Sequence, residues 1–202
     1  MLLQRTFISY LAHELARRLG KQSCDFADLR AVQDAFEEVI IDELSLEDEI
    51  NAEVRELLNQ YTDYMRKERI PYQEMFRTVK RNLLTERKVT SAQPRGADQE
   101  RMKISRDKTN ELSHKLAAKL PRIPGVRRNK AWNEVRLEIL REIKDLLMKE
   151  AAIDKLAQTK ITNQQRDIPE GGEEWKVLYR RYYEEEMKRY GIDLSPQAPQ
   201  FR

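Results

Sequence analysis

FEEVIIDELSLEDEINAEVRELL, residues 36–58, carries two apolar stripes at helical spacing with a run of acids between them. Upstream, Val32, Phe36, Val39, Ile40 and Leu44 recur every three or four residues, which places them on one side of a helix. Downstream, Ile50, Val54, Leu57, Leu58, Tyr61 and Met65 do the same. Ser45-Leu46-Glu47-Asp48 between them has the form of a capping box, in which a serine hydroxyl accepts from an orphan backbone N–H and an acid three residues on reaches back. Acids at Glu47, Asp48 and Glu49 also suit the positive end of a helix dipole. The local signals predict that the chain turns at Ser45 and begins a new helix there.

Working outward, 36% of the 202 residues are charged and 40% hydrophobic, with six glycines and seven prolines. Helical periodicity with so few chain breakers predicts an all-α protein, and the regular apolar spacing argues against disorder. No apolar run approaches the roughly 18 residues of a membrane span. The N-terminal MLLQRTFISYLAHELARRLG is interrupted by His13, Glu14, Arg17 and Arg18, so it reads as an amphipathic helix rather than a signal peptide. A lone Cys24 has no internal disulfide partner, which fits a reducing cytoplasm, and no histidine lies near it in sequence to activate it.

In chain order, helices are predicted at 7–19 (stopped by Gly20), from an Asp25 cap to Leu44, at 46–67, and after Pro71 through Tyr72, Met75, Phe76, Val79 and Leu83. TERKVTSAQPRGAD, 85–98, reads as a polar linker. Helical pattern returns by Met102 and is strong over 112–120. It breaks at the loop PRIPGVRRNK, 121–130, and resumes over 131–157. Residues 159–172 read as mostly loop, 173–190 as an aromatic helix, and DLSPQAPQFR, 193–202, as a mobile tail.

Segments recur within the chain. YLAHELARRL from Tyr10 matches ELSHKLAAKL from Glu111 at an offset of 101. Beyond a small change in loop length the offset is 103. It pairs Val32 with Val135, Phe36 with Ile139, Ile40 with Ile143, Leu44 with Leu147, Ile50 with Ile153, Tyr72 with Trp175, Phe76 with Tyr179 and Val79 with Tyr182. Met148 stands where Ser45 would be, so the second copy lacks the capping box, and AQTKITNQ replaces its third helix. The expected organisation is two diverged four-helix-like repeats joined by a polar linker. The first, acidic repeat covers 1–88, the linker and helix start 89–108, the second, basic repeat 109–192, and the tail 193–202.

EVIIDELSLEDEINAEVRELL, 38–58, followed by YQEMFRTVKRNL, 72–83, resembles the bacterial family called domain of unknown function 507, over roughly residues 1–88 directly and the rest through the repeat. The resemblance implies a small helical cytosolic protein. It implies no activity, and no functional residue carries over from it.

Candidate chemistry is sparse. Glu111-Leu112-Ser113-His114 has the Glu-x-x-His spacing of di-iron bundles, but Tyr10 holds the matching place before His13, and His13 points away from Leu15 on a helical wheel. Both histidines are expected on the surface, with no metal and no cofactor. Residues 37–49 hold seven acids and no Lys or Arg. They read as a solvated face or as a docking surface for a basic partner, with Glu37, Asp42, Glu43, Glu47 and Asp48 as candidates. Residues 1–86 carry 12 basic and 17 acidic side chains, and residues 87–202 carry 26 and 18. In the second half Lys119, Arg122, Arg127, Arg128 and Lys130 cluster around a Pro/Gly loop without an acid, a candidate contact for phosphate, RNA or an acidic partner. Trp175, Tyr179, Tyr182, Tyr183 and Tyr190 beside Arg180 and Arg181 can stack on bases, but their spacing is that of a core stripe. No phosphate loop, dinucleotide fingerprint, zinc-ligand spacing or nucleophile elbow is present. The expected function is a non-enzymatic helical interaction or scaffold protein, able to self-associate head to tail through opposite charges. The alternative is an RNA- or ribosome-associated protein that binds through its basic second half.

Overall fold

The computed structural model describes residues 3–94, 102–164, 166 and 168–192. The tail at 193–202 and the middle of the predicted linker, 95–101, lie outside the described residues. The protein is all-α: helices α1 (Arg5–Gln22), α2 (Leu29–Gln60), α3 (Thr62–Lys67), α4 (Tyr72–Glu86), α5 (Arg106–Lys119), α6 (Trp132–Thr162) and α7 (Glu173–Arg189). Two three-residue strands, β1 (Cys24–Phe26) and β2 (Val126–Arg128), pair antiparallel with Asp25 opposite Arg127.

The break predicted at Ser45 does not occur. α2 runs unbroken for 32 residues, and the Ser45 hydroxyl donates back to the Asp42 carbonyl at 3.0 Å instead of capping a new helix. A capping box acts only where the chain arrives from a non-helical residue, and nothing between Leu29 and Ser45 stops the helix. The apolar stripe also passes through the site, from Ile40 and Leu44 to Ile50 and Val54, all buried.

Other boundaries move for local reasons. α1 passes through Gly20, which lies close against the Phe26 ring, and ends at Ser23, whose N–H bonds the Leu19 carbonyl. Asp28, not Asp25, caps α2, accepting from the N–H groups of Arg30 at 2.9 Å and Ala31 at 3.1 Å, while Asp25 lies in β1. PRIPGVRRNK contains a 3-10 turn, Leu120–Arg122, and then β2. Gly125 takes φ +77° there, and a Cβ on it would come within 2.6 Å of the Ala27 Cβ, so this turn needs glycine. α6 continues to Thr162, burying Ala157 and Ile161 where degraded loop was expected.

Packing joins the two halves. α1 lies on α2 and α6, and α5 lies on α6 and α2. Phe7, Leu11, Leu15, Phe36, Ile40, Leu116, Ile139, Ile143, Leu147 and Tyr183 belong to one continuous core. A smaller core lies at the far end of α2, where Ile50, Val54 and Leu58 meet Met65 and Leu84. The start of the linker is also built in. Ala92 is buried, and its carbonyl accepts from the Ser105 N–H at 2.8 Å just before α5.

α4 and α7 end alike, 103 residues apart. Lys88 has φ +54°, and Val89 N–H reaches the Leu84 carbonyl at 2.9 Å; Gly191 has φ +72°, and Ile192 N–H reaches the Met187 carbonyl at 2.8 Å. Both are left-handed caps, but only one has the residue that adopts that conformation without steric cost. Lys88→Gly is therefore expected to stabilise the protein by about 1 kcal/mol in urea unfolding. Leu46→Pro separates a continuous helix from a broken one. Proline is well tolerated at a first helical position but costs roughly 3 kcal/mol or more inside a helix, and the larger loss is expected in the same measurement.

Candidate functional site

Two members of the acidic run on α2 face inward, while Glu38, Asp42 and Glu49 are exposed. Glu43 and Glu47, four residues apart, are buried at 8% and 4% exposure, between the large and small cores. Glu43 pairs with Lys108 of α5 at 2.8 Å and also with Lys115. Lys108 is 1% exposed, and Glu43 and Glu111 (3.1 Å) supply the carboxylates that pair its buried ammonium. Glu38 pairs with Lys119 at 2.8 Å, and Glu142 of α6 answers with an ion pair to Arg18 of α1. Arg18 shares Glu14 with Arg17, and the Arg17 guanidinium leads in holding the Glu14 carboxyl down at about 2. The acidic first half and basic second half therefore meet along a seam within one chain.

The predicted docking acids are thus divided. Glu43 and Glu47 are engaged internally, Glu37 accepts from the Ser9 hydroxyl at 2.6 Å, Asp42 is exposed and Asp48 half-buried. The predicted basic cluster divides too. Lys119 and Lys130 are ion-paired, to Glu38 and Glu138. Arg128 lies over the Trp132 ring at 5.4 Å and donates to the Lys130 carbonyl. Arg122 and Arg127 are exposed on the loop and strand.

Other candidates fall into place. His114 is exposed, but His13 is half-buried, its Nδ1 2.8 Å from Gln33 Nε2, because α2 covers the face of α1 that a single-helix wheel shows as open. Among the described residues no group of three or more His, Cys, Asp or Glu is placed to hold a metal ion. Cys24 is fully buried in β1, and burial, with Glu138 nearby, pushes its thiol up to about 11. Of the α7 aromatics, Tyr183 is buried, Trp175, Tyr179 and Tyr182 are half-buried, and Tyr190 is exposed.

A feature absent from the sequence reading lies between α2 and α4. Glu47 accepts from Lys80 Nζ of α4 at 2.6 Å and from the Ala92 N–H at 2.5 Å, which ties α4 and the linker to α2. Beside this knot is an open groove of about 520 Å³. Arg55, Arg77 and Lys80 supply cations, Tyr72 and Phe76 supply ring faces, and Asn51, Gln73 and Gln93 supply amides. Tyr72 and Phe76 stack one turn apart at 6.2 Å, and the Arg55 guanidinium lies 6.0 Å from the Phe76 centroid. No carboxylate is among the described residues that line the groove. Asn51 Oδ1 is buried there without a hydrogen-bond partner.

The corresponding place between α6 and α7 is built otherwise. At an offset of 103, Glu150 stands for Glu47, Asp154 for Asn51, Tyr179 for Phe76 and Tyr183 for Lys80. Glu150 accepts from the Tyr183 hydroxyl at 2.8 Å and from Lys103 Nζ at 2.6 Å, and burial raises its pKa. Asp154 accepts from Lys103 at 3.0 Å and from the Tyr179 hydroxyl, while Trp175 stacks on Tyr179 at 4.9 Å. Asp154 is thus fully engaged by the chain, although Glu150 Oε2, like Asn51 Oδ1, is buried without a partner.

Fold and site together define an all-helical protein with an internal charge seam and one cation-and-aromatic groove, and no described helix is long and apolar enough to cross a membrane. The family model described as "Protein of unknown function (DUF507)" matches residues 1–192, so the chain belongs to that family. The match runs through both halves, further than the motifs at 38–58 and 72–83 reach by themselves. No curated protein matches the chain.

The seam yields a double-mutant test. Glu43→Ala leaves the Lys108 ammonium buried beside only Glu111, and a loss of about 3–5 kcal/mol in unfolding free energy is expected. Lys108→Met added to Glu43→Leu should recover most of it, because an apolar pair of similar volume replaces a buried ion pair at little net cost.

Proposed function

We propose that this is a non-enzymatic helical binding protein of the cytoplasm that takes an anionic partner into the groove between α2 and α4. The groove carries the reading: three cations and two rings line it, with no carboxylate among the described lining residues. The seam supports a separate partner over head-to-tail assembly of copies, since the complementary charges of the two halves already meet within one chain. As part of the same proposal, the halves descend from a duplication. Matching helix order, matching caps at Lys88 and Gly191, and a strand pair centred on Asp25 and Arg127 favour it. The second copy then closed its groove, while the first kept it open.

A second reading places RNA on the basic loop, where Arg122 and Arg127 project from the β1–β2 end of the molecule. Charge reversal separates the two. Anisotropy titrations use a labelled polyglutamate peptide and a labelled single-stranded RNA at about 50 mM salt, where phosphate and carboxylate contacts are strongest. Arg55→Glu with Arg77→Glu is expected to weaken binding of at least one probe about tenfold or more, and Arg122→Glu with Arg127→Glu to leave it within about twofold. The reverse pattern would move the function to the loop. Binding of neither probe would overturn both readings.

A further inference from the structure

Resting on that reading of the groove, we infer that its ligand is a nucleotide, with the base against Tyr72 and Phe76 and the phosphate between Arg55 and Arg77. An anion alone does not account for the lining. Tyr72 keeps 47% of its surface exposed beside a half-buried Phe76, and a planar ligand is the chemistry that covers a ring face at such a site. Lys80 is paired with Glu47, which leaves the two guanidiniums as the free charge among the described lining residues. Guanidinium forks match phosphate oxygens in geometry as well as charge.

Asn51 carries the argument furthest. Its buried Oδ1 lacks a donor, whereas Asp154 at the matching place in the second half has three, Lys103, the Tyr179 hydroxyl and Gln158. Phe76 stands where Tyr179 does and has no hydroxyl to give. An acidic peptide side chain would satisfy the guanidiniums but brings no donor on a flat ring. A nucleobase brings ring face and N–H edge together, and Gln73 and Gln93 on the groove walls offer amides to the rest of that edge. The base belongs either to a free nucleotide or to an unpaired residue of an RNA strand.

Isothermal titration of the full-length protein at low salt tests this with UMP, AMP, uridine, inorganic phosphate, a single-stranded hexaribonucleotide and the polyglutamate peptide. A nucleotide is expected to bind at least tenfold more tightly than inorganic phosphate. Tyr72→Ala should weaken it about tenfold, and Arg77→Glu by a similar factor. Phe76→Leu keeps the small core filled and removes the ring, so weakened binding by a folded variant, checked by circular dichroism, supports stacking independently. Asn51→Leu should also weaken the nucleotide while leaving phosphate unchanged. Hexanucleotide binding about tenfold above UMP and AMP identifies a strand as the source; equal binding identifies the free nucleotide. Nucleotides bound no better than phosphate, or indifferent to Tyr72→Ala, overturn the inference. Polyglutamate bound under that outcome leaves the anion groove standing, and no binding by any probe removes both.

Discussion

The Glu43–Lys108 pair is the interaction on which the arrangement of the halves depends. An ammonium with 1% exposure is costly to bury unless a carboxylate pairs with it, and Glu43 comes from a different helix more than sixty residues away in sequence. Apolar packing between α2 and α5 tolerates sliding and rotation, but a buried charge accepts one register. The pair thus contributes specificity more than net stability, which is the best-attested role of such pairs. With α5 fixed on α2, Lys115 and Lys119 fall opposite Glu43 and Glu38, and α1 presents Arg18 to Glu142 on the other side.

That constraint also explains why the far end of α2 diverges from the far end of α6. Past Glu47 the helix leaves the shared core and carries only its own small cluster with Met65 and Leu84. α7 instead packs Tyr183 and Met187 into the main core, and Lys103 reaches over to Glu150 and Asp154. Replacing Tyr183 by Lys80 at the matching position turns a tyrosine–carboxylate contact into an ion pair. Replacing Tyr179 by Phe76 removes a donor. Each half keeps one buried acceptor unmet, Asn51 Oδ1 and Glu150 Oε2, but the exchanges leave Asn51 without the donors that Lys103 and the Tyr179 hydroxyl give Asp154.

How far the fold was legible follows from the range of each signal. Apolar periodicity reports burial directly, so α1, α4, α5, α6 and α7 fall near their predicted spans, and the α7 aromatics are mostly the core stripe their spacing indicated. Ser45 misled because a capping box is a local pattern, and whether it caps depends on the helix arriving from upstream. The strands were invisible, since three residues such as Cys24–Phe26 carry no period, and their partner lies about 100 residues away. Burial of Glu43 and Glu47 was hidden for a related reason. An acid on the apolar side of a helix shows its position in the spacing, but only tertiary structure supplies the lysine that makes the position tolerable. Half-buried His13 is the same lesson on a smaller scale.

The groove was the least legible feature, and its position shows why. Asn51 and Arg55 lie one turn apart on α2, Tyr72 and Phe76 one turn apart on α4, and Gln93 beyond the helix end, so no short window contains the set. The charge count pointed instead to the second half, where most of the excess Lys and Arg resides. Net charge is a poor guide to a site when ion pairs cross between halves. Lys108, Lys115 and Lys119 are engaged by the acids of α2, whereas Arg55 and Arg77, within a segment of net negative charge, face a groove with no acid among its described lining residues. Recognition depends on the charges that face the site, not on the sum over a chain segment. By that measure the proposed anion groove falls in the acidic half, where a count of net charge would not look for it.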